Sequence, residues 1–274
     1  MGERIGILAG SGAFVARLLS ELQGKGETCV VVGVEGETER ELEGRAGSFL
    51  WVRPGELGKA VAWLKSEDVK SVLLVGKVRP AALLAKEHFD SAARLIWEKT
   101  APKSAAQVLR AVILFLEQNG LEVRSPLPFF EPFFCRQGVL TGSSPSSALL
   151  EDMDFGLSMA KRLADWEIGQ TVIVKEGIVV AVEGLEGTDR AILRGGELAG
   201  PGVVVAKAGR TEQDVRVDVP GVGLDTIKAL IQAKAAGLAI EAEGVAFFEK
   251  AEALALAEAH GITIAARRLP EGGG

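Results

Sequence analysis

The sequence has few of the side chains on which zinc sites and disulfide frameworks depend. Its 274 residues include two cysteines, Cys29 and Cys135, and two histidines, His88 and His260. Two cysteines do not make a disulfide framework or a thiolate metal site, and they fit a reducing compartment. Because the histidines lie far apart in the sequence, a histidine-rich zinc site is not expected. A magnesium-type site built from carboxylates is still allowed.

The sequence also lacks an excess of positive charge and a long hydrophobic run. Its net charge is −6, so no bulk field attracts nucleic acid and we expect no nucleic-acid partner. No apolar run is long enough to span a bilayer. The first residues, MGERIGILAGSG, carry an early acid and no signal-peptide cleavage region. These observations predict a cytoplasmic protein that can still touch a membrane surface.

What is present is typical of a globular α/β protein. Hydrophobic residues make up 47% of the chain and charged residues 25%, and the length is more than most single cores need. Continuous apolar strands at residues 4–9, 28–34 and 71–75 alternate with helical patterns. This alternation indicates a parallel sheet covered on both faces. We predict a Rossmann-like N-terminal domain of residues 1–135 and a C-terminal α/β catalytic domain of residues 136–274.

The predicted boundary falls in a segment rich in proline and phenylalanine, residues 125–142. It contains Phe129, Phe130, Phe133 and Phe134. The segment has two interpretations. It is either a buried connection between domains or a hydrophobic surface that contacts an apolar ligand. Beyond it, the pattern predicts a helix over residues 144–165, a hairpin around Glu176-Gly177, strands at 203–206 and 215–219, and helices at 188–193, 225–236 and 250–260.

Two glycine-containing turns follow strands of the predicted parallel sheet. Gly10-Ser11-Gly12 stands between a strand and a helix, where backbone N–H groups favour an anion. A tight turn, a dinucleotide site and another phosphate contact all remain open, although the third glycine of the dinucleotide fingerprint is replaced by Val15. Gly76-Lys77 follows the strand 71–75, at the sheet edge that carries ligands in doubly wound folds. Lys77 neutralises a phosphate there or belongs to a solvated basic loop.

Acidic residues cluster in the C-terminal half. Asp214 and Asp218 alternate with Arg216 along a predicted strand, which suits either a metal site or a solvent-facing edge strand with ion pairs. Asp189 and Asp225 each stand where a helix begins. Helix N-caps explain such acids, and so does Mg²⁺-assisted phosphoryl chemistry, in which carboxylates hold the metal and helix N–H groups hold phosphate oxygens.

At these residues the chain resembles a known family, the UDP-2,3-diacylglucosamine pyrophosphatases of the lipid A pathway. The resemblance covers nearly the whole chain and rests on motifs that include Ile7 to Gly12, Gly76 to Pro80, Gly169 to Val172, Val182 to Asp189, and Val205 to Thr226. Two positions depart from the family pattern: Arg210-Thr211 stands where a lysine-proline pair is usual, and Leu224 where proline is usual. These departures affect the expected loop conformation more than the chemistry.

The resemblance implies a two-domain enzyme with its substrate in the cleft between the domains. It implies Mg²⁺-dependent hydrolysis of UDP-2,3-diacylglucosamine to UMP and 2,3-diacylglucosamine 1-phosphate. It further implies a cytoplasmic homodimer that makes transient contact with the inner-membrane surface. Asp225 falls on the family's essential aspartate.

Together, the residues and the resemblance give a specific site hypothesis. Asp225 is the predicted catalytic residue, and the predicted metal ligands are Asp225, Asp189, Asp214 and Asp218. The predicted substrate-binding residues are Gly10, Ser11, Gly12, Gly76, Lys77, Thr188 and Lys207. Two alternatives remain, a non-catalytic module that binds a nucleotide sugar or lipid, and a nicotinamide-dependent oxidoreductase that rests on Gly10-Ser11-Gly12 alone.

Overall fold

The computed structural model describes residues 3–76, 78, 86–100, 105–142, 144–212 and 219–269. Within these ranges the chain forms two compact units, one that ends at Phe129 and one that begins at Phe130. Each unit is built on its own sheet with helices against it. The predicted fold class, a Rossmann-like parallel sheet followed by a second α/β unit, is therefore confirmed.

The first unit contains a five-stranded parallel sheet in the order β3-β2-β1-β4-β5. Its strands are β1 (Arg4–Ala9), β2 (Thr28–Val34), β3 (Ser48–Val52), β4 (Ser71–Val75) and β5 (Glu122–Arg124). Its helices are α1 (Ala13–Gly24), α2 (Leu57–Ser66), α3 (Ser91–Lys99) and α4 (Ala105–Gln118), with 3-10 turns at Arg40–Arg45 and Lys86–His88. The strand order reverses between β1 and β4, the position where doubly wound folds open a crevice at the carboxyl ends of the strands.

The apolar pattern of the sequence explains these layers. All five residues of β4 are buried, and β2 is buried over five consecutive positions, as expected for strands covered on both faces. One face packs against α2 and α4 through residues such as Leu64 and Leu116. Helix α1 buries Val15, Leu18, Leu19 and Leu22. These positions have the spacing of one helical face.

The short helix α5 (Leu127–Phe130) spans the transition between the units, and the second unit continues with a 3-10 turn at Glu131–Phe133. Its main sheet has the order β6-β13-β11-β9-β7-β8, and a separate parallel pair joins β10 to β12. The strands are β6 (Gly138–Val139), β7 (Thr171–Lys175), β8 (Ile178–Val182), β9 (Val204–Lys207), β10 (Gly221–Val222), β11 (Gly237–Glu241), β12 (Ala246–Phe247) and β13 (Thr263–Arg267). Strands β9, β11 and β13 are parallel, whereas β7 runs antiparallel to β9 and to β8.

Helices cover both faces of this second sheet. They are α6 (Ser147–Asp165), α7 (Thr188–Ala199), α8 (Leu224–Gln232) and α9 (Lys250–Ala259). Helix α6 packs on one face through Met153, Leu157 and Ala160. Helices α7, α8 and α9 pack on the other face, where they meet Ile173 and Val205. The polar residues discussed below continue this second face to the edge of the sheet.

Several predicted boundaries differ from the structure. Helix α6 begins at Ser147 rather than residue 144, because the side chain of Ser146 caps it by accepting the N–H of Leu149 at 3.2 Å. Helix α7 continues to Ala199 rather than stopping at residue 193, and α8 ends at Gln232 rather than residue 236. The short strands β5, β6, β10 and β12 have no distinct sequence signal. The predicted strand 215–219 lies outside the described residues apart from Val219.

Candidate functional site

The carboxyl edge of the first sheet brings together four of the predicted substrate-binding residues. Strand β1 leads into Gly10, whose N–H donates to the carbonyl of Val75 at 2.8 Å. The turn then reaches Gly12, the residue before the first turn of α1. Gly76 follows β4 directly and lies against the same turn. Gly10, Ser11, Gly12 and Gly76 therefore form one glycine-rich surface at the reversal of strand order, called the glycine edge below.

Gly76 is required by the geometry of this glycine edge. Its φ is +92°, and an added Cβ would lie 2.7 Å from the carbonyl carbon of Gly10 and 2.8 Å from the carbonyl oxygen of Ser11. Both neighbours are backbone atoms that have little room to move. A side chain at residue 76 is therefore excluded both by conformation and by contact.

The N-terminus of α1 already interacts with an acid that the sequence analysis did not single out. The N–H of Gly12 donates to Oε1 of Glu39 at 2.8 Å. The preceding residue, buried Thr38, fixes this loop by donating to the carbonyl of Ala9 at 2.5 Å and accepting the N–H of Val34 at 2.8 Å. A phosphate that approached Gly12 would have to compete with the carboxylate of Glu39.

In the second sheet, a row of polar side chains lies at the end of the sheet where β9 terminates. Thr171 pairs with Lys207 across β7 and β9, and the N–H of Glu183 donates to the carbonyl of Thr171 at 2.8 Å. Directly paired residues project from the same face of a sheet. Lys207, Thr171 and Glu183 therefore lie side by side on the face that α7 covers.

Thr188, the first residue of α7, connects this row. The Nζ of Lys207 donates to Thr188 Oγ1 at 2.8 Å, and Thr188 Oγ1 donates to Oε1 of Glu183 at 3.0 Å. Lys207 is only 3% exposed, whereas Thr188 and Glu183 are half-buried. The structure thus brings together two predicted substrate-binding residues, Lys207 and Thr188, and adds Glu183, which the sequence analysis placed only within a motif. We call Lys207, Thr171, Thr188 and Glu183 the lysine network.

The loop before α7 is held by its own ion pair. Glu186 accepts the N–H of Gly184 at 3.1 Å and also pairs with Arg194, which donates to the carbonyl of Val182 at 2.8 Å. The hydrogen bond from Arg194 holds the pKa of Glu186 below its usual value. Asp189, the second residue of α7, is exposed. In the first turn of α7, Asp189 is thus accessible to solvent.

Asp225 occupies the corresponding position in α8. Its side chain is 84% exposed and accepts from Nζ of Lys228 at 2.9 Å, and this hydrogen bond raises the pKa of Lys228. The residues that precede the two helices are Gly187 and Gly223, and neither helix has a side-chain cap. The N-cap interpretation of Asp189 and Asp225 is therefore wrong, since both lie one position inside their helices. Their exposed carboxylates leave oxygen atoms open to solvent.

The remaining predicted site residues lie outside the described residues. They are Lys77, Asp214 and Asp218. Within the described ranges, no group of three or more His, Cys, Asp or Glu side chains converges in a way that would hold a metal ion. Asp189 and Asp225 nevertheless supply the carboxylate oxygens that Mg²⁺ prefers, and Mg²⁺ is commonly bound by one or two carboxylates together with substrate phosphates. Asp189 and Asp225, each taken singly, are therefore of the residue type that ligates Mg²⁺.

The phenylalanine-rich segment packs as a core element. Phe130 and Phe133 are 6% and 8% exposed, and both rings pack on Phe248 with centroids 5.8 and 5.0 Å away. Phe134 forms an isolated antiparallel bridge with Ala246. These contacts favour the interpretation of a buried connection over that of an apolar wall for a ligand.

Comparison with protein families covers both units in turn. The model described as the LpxI N-terminal domain matches residues 4–133, and the model described as the LpxI C-terminal domain matches residues 136–265. The chain belongs to the LpxI family. A relative from Caulobacter vibrioides (strain ATCC 19089 / CIP 103742 / CB 15), named UDP-2,3-diacylglucosamine pyrophosphatase LpxI, is 29% identical over 275 residues, which cover 95% of this chain and 96% of that protein. The resemblance stated from the sequence motifs is therefore confirmed.

Solved structures add little to this LpxI assignment. A biotin carboxylase complex from Campylobacter jejuni is 13% identical with a TM-score of 0.25, and covers 71% of this chain and 42% of its own. A glycinamide-RNase-transformylase T from Mycobacterium tuberculosis is 18% identical with a TM-score of 0.24, and covers 66% and 44%. The chain spans less than half the length of either protein, and likenesses at these TM-scores carry no argument. In the described part of the chain, no helix has the length and apolar character needed to cross a membrane.

Proposed function

We propose that this protein hydrolyses the diphosphate bond of UDP-2,3-diacylglucosamine in a Mg²⁺-dependent reaction that releases UMP and 2,3-diacylglucosamine 1-phosphate. The observation that carries the proposal is the match to the Caulobacter pyrophosphatase over 95% of the chain. As a member of the LpxI family, the chain is an enzyme, a hydrolase that acts on the diphosphate of a nucleotide sugar. The substrate, the metal and the products are the proposed part.

The lysine network supplies the positive charge that such a reaction needs. A diphosphate gains negative charge on its leaving oxygen as the bond breaks, and a fixed ammonium in a water-poor setting stabilises that charge effectively. Lys207 is buried and held by Thr188 at 2.8 Å. We infer that its ammonium faces the diphosphate.

The glycine edge supplies contacts of another kind. Gly12 and Gly76 are exposed and carry no side chain at the point where strand order reverses, beside Gly10 and Ser11. Backbone N–H groups at such a position suit a phosphate or a sugar hydroxyl. We propose that this surface binds the substrate, with Lys77 adding charge.

Asp225 is the proposed catalytic carboxylate, and Asp189, Asp214 and Asp218 are the proposed further metal ligands. Its exposed side chain accepts a hydrogen bond of 2.9 Å from Nζ of Lys228. When bound, Mg²⁺ would neutralise phosphate oxygens and polarise the phosphorus centre. The proposed role of Asp225 is to orient the groups that approach the diphosphate.

The substrate also bears on where the enzyme works. Its two acyl chains favour a bilayer, so we propose a cytoplasmic enzyme that touches the inner-membrane surface transiently, and that acts as a homodimer. Co-sedimentation with vesicles that contain the substrate tests the first point, and light scattering of the purified protein tests the second.

The deciding experiment measures UMP release from radiolabelled UDP-2,3-diacylglucosamine, with Mg²⁺ and with a chelator. We expect release with Mg²⁺ and none with chelator. Asp225→Ala is expected to abolish turnover while circular dichroism stays unchanged. Lys228→Ala is the matched control, since it breaks the same exposed ion pair but leaves the carboxylate, and exposed pairs contribute little.

Two outcomes would contradict the proposal. One is tight binding of the substrate without release of UMP, which would favour the non-catalytic binding module. The other is full activity in Asp225→Ala, which would remove this residue from the catalytic position.

A further inference from the structure

We propose that Glu183 is a positioning residue that acts through Thr188. Glu183 accepts a hydrogen bond from the hydroxyl of Thr188, so that Thr188 holds the Lys207 ammonium instead of donating a hydrogen bond to the substrate. This inference rests on the proposed function and assigns roles within its site. It also changes one expectation, because Thr188 was predicted to bind the diphosphate directly.

The direction of the hydrogen bonds follows from the chemistry of the groups. An ammonium only donates, so Thr188 Oγ1 must accept from Lys207 Nζ at 2.8 Å. A hydroxyl has one proton, and a carboxylate oxygen accepts. The contact of 3.0 Å between Thr188 Oγ1 and Glu183 Oε1 therefore uses that proton.

A third hydrogen bond occupies the remaining lone pair of the Thr188 hydroxyl. Thr171 Oγ1 donates to Thr188 Oγ1 at 3.4 Å. The hydroxyl of Thr188 accepts hydrogen bonds from Lys207 and Thr171 through its two lone pairs, and it uses its single proton to donate to Glu183. It therefore has no proton left to donate to a phosphate oxygen. Thr188 thus acts as a fixed acceptor for Lys207.

Glu183 is itself held rigidly, as a positioning residue must be. Its Oε2 accepts the N–H of Gln170 at 3.2 Å, and its own N–H donates to the carbonyl of Thr171 at 2.8 Å. Gly169 makes this close approach possible, because a Cβ there would lie 2.2 Å from the carbonyl oxygen of Glu183. The backbone at residues 169–171 therefore fixes the carboxylate.

The consequence for Lys207 is a defined ammonium position. A lysine side chain has four rotatable bonds and loses rotamer freedom when it is held, and misplacement of a catalytic group by about 1 Å costs on the order of 100-fold in rate. Since Lys207 is 3% exposed, few conformations are open to its stem. The hydroxyl of Thr188, oriented by Glu183, selects among them.

The test is a double-mutant cycle on Glu183→Ala and Thr188→Val, measured with UDP-2,3-diacylglucosamine after wild-type turnover is established. We expect each single variant to lower kcat about tenfold with KM changed less than about twofold, since ground-state binding is retained. The double variant should be no slower than Thr188→Val alone, because Glu183 acts through the hydroxyl. Thr188→Ser should restore kcat.

Glu186→Ala is the matched control. It removes an acid from the same loop that pairs with Arg194 rather than with Thr188, so kcat should stay within about twofold of wild type. Independent effects that multiply in the double variant would overturn the proposal, because Thr188 would then act on the substrate without Glu183. Failure of Thr188→Ser to restore kcat would also overturn it.

A second measurement does not depend on turnover. A buried lysine ammonium whose protons exchange slowly gives a signal in 15N-edited NMR, and Lys207→Met identifies it by its loss. We expect that signal to disappear in Thr188→Val and to broaden in Glu183→Ala, while Glu186→Ala leaves it unchanged. An unchanged signal in Glu183→Ala would overturn the positioning role. If the wild type released no UMP, the proposed function would fail while this measurement would still decide the inference.

Discussion

The glycine edge of the first unit and the lysine network of the second differ in what they offer a ligand. At the glycine edge, Gly12 and Gly76 are exposed, and an acid, Glu39, already accepts the N–H of Gly12 at 2.8 Å. At the lysine network, side chains from β7, β9 and α7 meet, and the lysine is 3% exposed. The glycine edge offers space and exchangeable backbone contacts, whereas the lysine network offers a fixed charge.

The two sheets therefore make different contributions to the proposed reaction. A glycine-rich surface adapts to a ligand through its backbone, and the charged group found on it among the described residues is the carboxylate of Glu39, which does not stabilise negative charge on a phosphate. A buried ammonium is expensive to desolvate unless it is hydrogen-bonded, so its presence indicates a use that repays the cost. We therefore expect substitutions in the lysine network to affect rate, and substitutions at the glycine edge to affect stability and affinity.

Lys207→Met is expected to have the largest effect on rate, because it keeps an apolar stem and removes the charge. We expect kcat to fall by about 100- to 1,000-fold, the usual cost of removing one donor that stabilises developing charge. Lys175→Met is the matched control, since Lys175 belongs to the same sheet and binds the carbonyls of Ala199 and Pro201 at 2.7 and 3.0 Å. UMP release measures both variants, and a small effect of Lys207→Met would move the chemistry elsewhere.

Phe133→Ala tests whether the phenylalanine segment supports the second unit by packing alone. Because Phe133 is 8% exposed and packs on Phe248, we expect a loss of about 3–5 kcal/mol in unfolding free energy. Urea unfolding measures this loss. Rates with substrates of different acyl length, under conditions where the variant is folded, should keep the wild-type order of preference. A changed order would restore the interpretation of this segment as an acyl-chain wall.

Gly76→Ala tests the backbone packing of the glycine edge. The added Cβ contacts the backbone of Gly10 and Ser11, and the alanine must adopt a φ near +92°. We therefore expect a loss of roughly 2–4 kcal/mol in unfolding free energy and a raised KM. Gly120→Ala is matched in conformation, with φ +81° and nothing within 4 Å of the added Cβ. It should cost only about 1 kcal/mol and leave KM unchanged. Equal losses in the two variants would show that the contact with Gly10 is unimportant.

The smallest effect is expected from Glu56→Gln, away from both regions. Glu56 precedes α2 and accepts from Nη2 and the N–H of Arg53 at 2.6 and 2.8 Å, contacts that lower its pKa to about 2. A carboxyl group whose pKa is lowered on folding stabilises the folded state at pH values above the ordinary pKa of that group. This stabilisation is lost as the pH falls toward 2.

Glu56→Gln should therefore lower the thermal midpoint at pH 7, by an amount that corresponds to about 1 kcal/mol, and have almost no effect near pH 2. Kinetic constants at pH 7 should match those of the wild type. A deficit in stability that persisted unchanged at low pH would show that packing, rather than charge, is what the substitution removes.

The elements themselves were predictable where the local pattern is strong. The continuous apolar runs of β1, β2 and β4 predicted their bounds to the residue. Helix α7 was predicted too short because Gly195 and Gly196, inside it, resemble a helix end. The two-residue strands β6, β10 and β12 are too short to produce a period that can be recognised.

The fold class, the family and the residue types of the site could be predicted from the sequence, because apolar periodicity and motif spacing are local properties of the chain. Which polar groups meet depends on the folded chain. Glu39 reaches Gly12 across 27 residues, and Lys207 reaches Thr188 across 19. Such contacts depend on strand register, which pairs Thr171 with Lys207 and is set by the packing of the whole sheet. The lysine network exists because the start of β7 lies in register with the ends of β8 and β9, and no local pattern encodes that alignment.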